Sequence, residues 1–389
     1  MRIVHFGKYY SPVRGGMETH VETLAKNQAI LGHEVYVIAI NNLGIGGFLD
    51  SGSIRTTERF FDDNGVKVCL LGRVASAGKL DFVRNSRVLI ASLQQHHDTI
   101  FHLHAPNPTF ALMLALHYRI QNFVVSHHSD VIGQGVFSIP FLLVEEFVYR
   151  RAKLLISDSE QYIAGSKLLT RFRSKTRVLP LGIELGPYLD PSPNAQRIAT
   201  EFKLRYPTPI WLCVGRLCRY KGFETAIRAL GKIVGTLVIV GTGPMEAELR
   251  KLSEQVGVQD RVSWLGETDQ DTLCAAYHAA SALWFTSNAR NEGFGQVQVE
   301  SMACSTPVIN AHIPNSGVSW VSMDDVSGLT IQRESVESLI NASMKIASND
   351  ELRTRLSLGA RERAVNLFDA KLMAEKSTKL YATLATIHR

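Results

Sequence analysis

Cysteine is scarce and unpatterned. The five residues, Cys69, Cys213, Cys218, Cys274 and Cys304, are scattered, odd in number and contain no C-x-x-C pair, which argues against zinc ribbons, thioredoxin-like centres and disulfide frameworks. They read as free thiols of a reducing compartment. No apolar run approaches the ~18 residues that a membrane-spanning helix needs. The opening MRIVHFG lacks the apolar core and small-residue cleavage site of a secretory signal. The expected location is therefore the cytoplasm, with peripheral contact at the inner face of the plasma membrane as a further expectation. Blocks of one charge are missing too: a net charge of +6 is spread along the chain. Without a familiar nucleic-acid-binding motif, that charge does not point to nucleic acid as a partner.

What is present is the composition of a globular protein, 45% hydrophobic and 20% charged. A chain of 389 residues exceeds what one core usually spans, so two α/β domains of roughly 180 residues each are expected. Short apolar runs alternate with helical stretches, the pattern of parallel sheets covered on both faces. In the first half RIVHF, EVYVIAI, VKVCLL, TIFHLH, FVVSHH and KLLISDS read as strands, and Glu18 to Leu31 as a helix ending at Gly32. The segment Gly44 to Glu58 reads as a mobile loop. GPYLDPSPN, Gly186 to Asn194, collects three prolines and reads as the linker. A second series then follows: PIWLCVG, TLVIVG, VSWLG, ALWFTS and TPVIN. The expected domains are 1–186 and 187–367, two Rossmann-like halves facing across a cleft, with a final helix from about Phe368 crossing back onto the first half.

Five segments could carry chemistry. In PVRGGMETH, Gly15 and Gly16 stand just before a helix, where backbone can approach a phosphate and free amides meet it; a plain βα turn explains the pair equally well. In VGRLCRYKG, Arg216 and Lys221 lie beyond a strand end, suited to a diphosphate or simply solvated. VGTGPMEAEL places Gly241 and Gly243 in an incomplete dinucleotide fingerprint, either a turn or a loop beside a nucleotide base, and poor evidence for NAD. In SNARNEGFGQVQVESMACSTPVI, Glu292 precedes Gly293, Phe294 and Gly295, and Glu300 lies about one turn inside the next helix. Two acids so spaced can accept hydrogen bonds from one ligand's hydroxyls, or serve helix-dipole pairing and a solvated face. In VVSHHSDV, adjacent His127 and His128 on a strand must point to opposite sides, which leaves one to face a cleft and disfavours a shared metal. Asp269-Gln270-Asp271 spells D-x-D, yet its place before a helical run favours N-capping over a metal.

Taken together, RGGMETHV, SHHSDV, LPLGIE, GRLCRYKG, VGTGPME and EGFGQVQVESMACSTPV resemble the family 4 glycosyltransferases, retaining enzymes of GT-B fold; the last segment carries the family's E-x7-E element. The resemblance implies a nucleotide-diphosphate sugar as donor. Gly15 and Gly16 would line its phosphate and sugar, and Arg216 and Lys221 would neutralise the departing diphosphate. Gly241 and Gly243 would sit beside the nucleotide, Glu292 with Gly293, Phe294 and Gly295 would hold the sugar, and Glu300 the ribose. The family histidine aligns with His128, and Lys8, Tyr10, Arg14 and Asp130 are expected on the acceptor side. No cofactor and no metal ion are expected. After TPVIN the family's Gly-Gly-x-Pro-Glu segment is replaced here by HIPNSGVSWV, so acceptor and sugar contacts do not transfer from that loop. The variant is similar to bacterial polysaccharide and O-antigen enzymes, which implies a glycan or polyprenyl-linked acceptor and favours GDP-mannose, with UDP-sugars second. A nucleotide-sugar 2-epimerase or an inactive assembly partner of the same fold remains an alternative. The apolar and basic run Phe137 to Leu155, with Lys167 to Arg177, is read either as a surface for anionic membrane or as a buried helix with a solvated turn.

Overall fold

The computed structural model describes residues 1–13, 15–42, 56–77, 80–84, 86–94, 98–116, 120–130 and 139–385. Most of the expected mobile loop, residues 43–55, lies outside them, as do Arg14 and residues 137–138. The chain forms two units, Met1–Gly182 with Ala370–Arg389, and Ile183–Asp369. The expected linker is therefore corrected: Gly186–Leu189 is a helical turn and Pro193–Arg205 a helix capped by Ser192, both inside the second unit. Prolines at the start of a helix sacrifice no intrahelical bond, so a proline-rich run that reads as a linker serves here to start two helices.

The first unit holds strands β1 (Arg2–Phe6), β2 (Glu34–Ile40), β3 (Arg59–Asp63), β4 (Val66–Leu71), β5 (Arg73–Ala77), β6 (Leu80–Val83), β7 (Thr99–Ala105), β8 (Asn122–His127), β9 (Leu154–Ser157) and β10 (Thr176–Val178). Eight form one sheet in the order β10-β9-β8-β7-β1-β2-β4-β3, while β5 and β6 pair separately. In the large sheet β3 alone runs antiparallel, against β4. Every residue of β7 is buried, as a strand covered on both faces requires. Phe6, Phe101, Leu103, Phe123 and Tyr149 pack on one face. Ile3, Leu24, Ile100, Val124 and Tyr381 pack on the other, beneath the helices Gly16–Ile30 and Ala370–Ala385, which touch each other. Gly32, at φ +83, follows the first of these helices and returns its N–H to the Ala29 carbonyl.

The second unit contains β11 (Ile210–Val214), β12 (Thr236–Val240), β13 (Val262–Gly266), β14 (Ala282–Phe285), β15 (Val308–His312) and β16 (Gly328–Gln332), in the order β13-β12-β11-β14-β15-β16. All pairs are parallel. Trp211 and Trp284 stack at 5.0 Å in its core. Each unit is thus a Rossmann-like layer of parallel sheet between helices. Strands β11, β12 and β14 are neighbours, so the loops after them share one edge, the carboxyl end at which open α/β sheets bind ligands.

Candidate functional site

That edge brings together two of the expected residues that are 71 positions apart in the second unit's sequence. Lys221, after β11, and Glu292, after β14, form an ion pair with both side chains largely buried. The same Glu292 oxygen accepts a hydrogen bond from the Ser287 hydroxyl at 3.2 Å. Burial alone would lower the Lys221 pKa; Glu292 and Tyr220 more than offset it, and the ammonium is held above its ordinary value. The lysine also lies 5.5 Å from the ring centres of Tyr220 and Phe285. Its backbone is pinned by Thr286, whose hydroxyl donates to the Lys221 carbonyl at 2.9 Å. Gly222 is required next to it: φ is +66, and a Cβ would stand 2.3 Å from the Thr286 carbonyl oxygen. Arg216 is exposed; its carbonyl accepts from the Cys218 N–H at 2.8 Å, and its guanidinium has no hydrogen bond or ion pair among the described residues. Of the two cations, one is held and one is free to meet an anion.

Gly241 and Gly243 serve this loop directly. A Cβ at Gly241 would lie 2.1 Å from the Gly215 carbonyl oxygen, and one at Gly243 2.4 Å from that of Leu217. Leu217 N–H donates to the Thr242 carbonyl and the Met245 N–H to the Leu217 carbonyl. The two glycines therefore let the loop after β12 clamp the loop that carries Arg216. On the other side, Gly295 caps the helix Gln296–Ala303, Phe294 is buried edge-on against Phe368, and Gly293 accepts from the Gly317 N–H. The departing segment HIPNSGVSWV fastens the loop that presents the acid, because the Ser316 hydroxyl donates to the Glu292 carbonyl at 2.6 Å.

Glu300 sits one turn into that helix and accepts from the Tyr277 hydroxyl at 2.7 Å. Burial raises its pKa, and the Tyr277 and Tyr188 hydroxyls work against the rise. Both carboxylates of D-x-D are occupied. Asp269 caps its helix through the Thr272 N–H, and Asp271 accepts from Ser192 and Asn194, each at 2.8 Å. Cys274 and His278, one turn apart on the helix Gln270–Ala279, and Cys304, distant in sequence, stand close enough for one ion to bridge them. No spacing rule could have found that group, because Cys304 arrives on a different helix.

In the first unit His127 and His128 do point to opposite sides. His127 bonds the Tyr149 hydroxyl at 2.6 Å and Asp130 at 3.0 Å. His128 Nε2 lies 3.1 Å from His104 Nδ1, on the face beneath the two helices. There it joins a seam the sequence reading missed: His5, His20, His102 and His104 are all buried beside it. His102 and His104, two apart on β7, were the available signal, since period two puts both on one face. Burial lowers the pKa of all five, to about 4 for His5 and about 3 for His128. Triads His5, His102, His104 and His20, His104, His128 are also close enough to share an ion. Gly15 is extended and caps the helix that Gly16 begins, and the Lys8 ammonium lies 5.0 Å from the Tyr9 ring centre. One acceptor-side expectation changes. Tyr10 is 2% exposed, packed in the core, and its hydroxyl donates to Asp63, so it has no surface to offer. Asp130 keeps 21% of its side chain exposed while it accepts from the Ser166 hydroxyl at 2.7 Å and lies 3.0 Å from His127 Nε2.

Comparison with known proteins agrees with this architecture. A family model described as Glycosyltransferase Family 4 matches residues 14–186, and one described as Glycosyl transferases group 1 matches residues 196–363. The chain is 27% identical over 386 residues to O-antigen chain mannosyltransferase C of Escherichia coli, covering 99% of both. It is 25% identical over 338 residues to D-rhamnosyltransferase WbpZ of Pseudomonas aeruginosa, covering 85% of this chain and 82% of that one. Among solved structures, sucrose-phosphate synthase of Thermosynechococcus elongatus has a TM-score of 0.77 at 24% identity, with 99% of each chain covered. Anabaena HepE in complex with UDP has a TM-score of 0.74 at 18% identity, covering 98% of this chain and all of that one. These likenesses show a common GT-B fold.

Proposed function

The chain belongs to glycosyltransferase family 4, and from that premise we propose that it moves a hexose from a nucleotide-diphosphate donor, GDP-mannose by preference, to a glycan or polyprenyl-linked acceptor in bacterial O-antigen or polysaccharide synthesis. The observation that carries the reading is the Lys221–Glu292 pair, closed on itself at the carboxyl edge of the second sheet, with Arg216 unpaired on the same loop as Lys221. A diphosphate competes for Lys221; once the ammonium turns to phosphate, Glu292 is released to accept hydrogen bonds from sugar hydroxyls. Arg216 and Lys221 then balance the charge that grows as the glycosidic bond breaks, helped by the amides around Gly293 to Gly295. The acceptor hydroxyl attacks the face that the diphosphate leaves, with retention of configuration, the new bond to the sugar forming as the bond to the diphosphate breaks and the hydroxyl proton passing to the departing diphosphate. Glu300 holds the ribose, and His128 accepts from a sugar hydroxyl. Metal ions have no part in this scheme, and the helix cap and side-chain bonds already engaging Asp269 and Asp271 favour that reading. The mannosyl preference rests on the Escherichia coli relative.

Contact with anionic membrane is part of the same reading. Leu143 and Phe147 are 65% and 48% exposed on the helix Ile139–Arg151, which favours a surface over a buried helix. The basic turn is partly neutralised, however, since Arg171 pairs with Glu146 and Arg173 with Glu160.

The test is thermal stabilisation by GDP, UDP and ADP, followed by turnover of GDP-mannose with a lipid-linked acceptor in EDTA. A diphosphate at a hundredfold excess over Kd should stabilise by about 2.7 kcal/mol. Stabilisation by UDP alone would remove GDP-mannose, and conversion of a UDP-sugar without any acceptor would replace transfer by epimerisation.

A further inference from the structure

We infer that Gln28, His5 and His104 are positioning residues that set the tautomer of His128, so that its Nδ1 carries a lone pair and its Nε2 the proton. The inference rests on the reading of His128 as a sugar contact for its role in turnover, and on hydrogen-bond geometry for the tautomer itself.

The polarity starts on the C-terminal helix. The Ser377 hydroxyl donates to the Ala374 carbonyl at 2.7 Å, so its lone pairs receive the Gln28 amide N–H at 2.8 Å. That bond orients the Gln28 side chain and turns its carbonyl oxygen to His5 Nε2, 2.7 Å away. An oxygen there can only accept, so His5 Nε2 carries hydrogen. Burial keeps these imidazoles neutral, and a neutral ring has one N–H. His5 Nδ1 is therefore bare, and His104 Nε2, 3.0 Å from it, must donate. His104 Nδ1 is bare in turn, and His128 Nε2, 3.1 Å away, must donate to it. At the end of the chain His128 has Nδ1 unprotonated, 4.0 Å from the Asp158 carboxyl and beyond hydrogen-bond reach of it.

The sheet makes the relay possible. β8, β7 and β1 are neighbours, with His104 opposite Ser126 and His102 opposite His5. His102 is excluded from the chain because Ser126 and the Tyr381 hydroxyl, each at 2.7 Å, take its two nitrogens. His20 stands edge-on to His104 and His128, with its Nδ1 buried and unpartnered. A lone pair at His128 Nδ1 selects a hydroxyl that donates and cannot hydrogen-bond a carboxylate or another bare acceptor. A cation held by His20, His104 and His128 would need the opposite tautomer at His128 if Nε2 were its ligand.

The test uses the full chain with 15N-labelled histidine and long-range proton–nitrogen correlation. His5, His104 and His128 should all appear as Nε2–H tautomers, unchanged by added Zn²⁺. Gln28→Met keeps the side-chain length but removes the acceptor; His128 should become a tautomer mixture. Its kcat should fall about tenfold, the size of one misdirected neutral hydrogen bond, while GDP binding is unchanged. Ser377→Ala should do the same more weakly and serves if Gln28→Met does not fold. An Nδ1–H His128 in the parent protein, a Zn²⁺-induced change at these rings, or tautomers indifferent to both substitutions would overturn the inference. A tautomer shift with full kcat would leave the relay standing but remove its role in turnover, along with the reading of His128 as a sugar contact.

Discussion

Both units gather polar side chains at the carboxyl ends of parallel strands, yet they meet the desolvation cost in opposite ways. The second unit buries a cation against an anion, Lys221 on Glu292. The first buries uncharged imidazoles and satisfies several of them through one another, from Gln28 to His128. A buried charge must be matched by another charge, whereas a buried neutral donor needs only an acceptor. The ion pair can therefore be exchanged for an incoming anion. The imidazole chain cannot accept charge cheaply, but it transmits direction.

Acid should break the first region before the second. The five seam histidines have folded pKa values below their ordinary 6.5. Unfolding takes up their protons, so the stability they contribute is full above pH 6.5 and is lost as pH falls. Burial raises the folded values of Asp158, Glu145 and Glu18, which act in the opposite sense. Each uncompensated proton is worth about 1.4 kcal/mol per pH unit. Native-state hydrogen exchange between pH 7 and 5 should show protection falling in β1, β7 and β8 and holding in β11 and β14. Equal loss in both units would erase the distinction.

Removing charge should break the second region. Arg216→Ala should lower kcat by about 10²- to 10³-fold, as expected for one donor aimed at developing charge, with little change in stability. Activity should survive EDTA; loss restored by Mn²⁺ would return attention to Asp269. The paired acids sharpen the same point with smaller effects. Glu292→Ala should act mainly on kcat, and Glu300→Ala mainly on donor KM. Purely KM effects in both would count against the division of labour.

The smallest expected effect concerns the surface of the first unit. Each cation near anionic lipid is worth about 1 kcal/mol, less when salt screens it. Arg171 and Arg173 already have carboxylate partners. Changing Arg171, Arg173, Lys175 and Arg177 to Gln should weaken binding to anionic vesicles by less than four such increments and leave GDP binding intact. Vesicle binding that is absent, or that ignores the change, removes the membrane surface.

Much of this molecule is legible along the chain wherever the physics is local. Apolar runs separated by helical spacing predict eleven of the strands, β1, β2, β4, β7, β8, β9 and β11 to β15, because burial on both faces leaves a continuous hydrophobic signature. The capping role of Asp269 and the opposed directions of His127 and His128 follow from helix-end chemistry and from the period of a strand. The short edge strand β3, with its largely exposed side chains, carries no such signature. Proline at helix starts reads as a linker, and Tyr10 as a surface residue, because neighbours in sequence do not report burial. Strand order decided the rest. Lys221 meets Glu292 because β11 lies beside β14, and His5, His104 and His128 form one chain because β1, β7 and β8 are adjacent. Those pairings join segments tens of residues apart, and local periodicity holds no record of which strand will lie beside which.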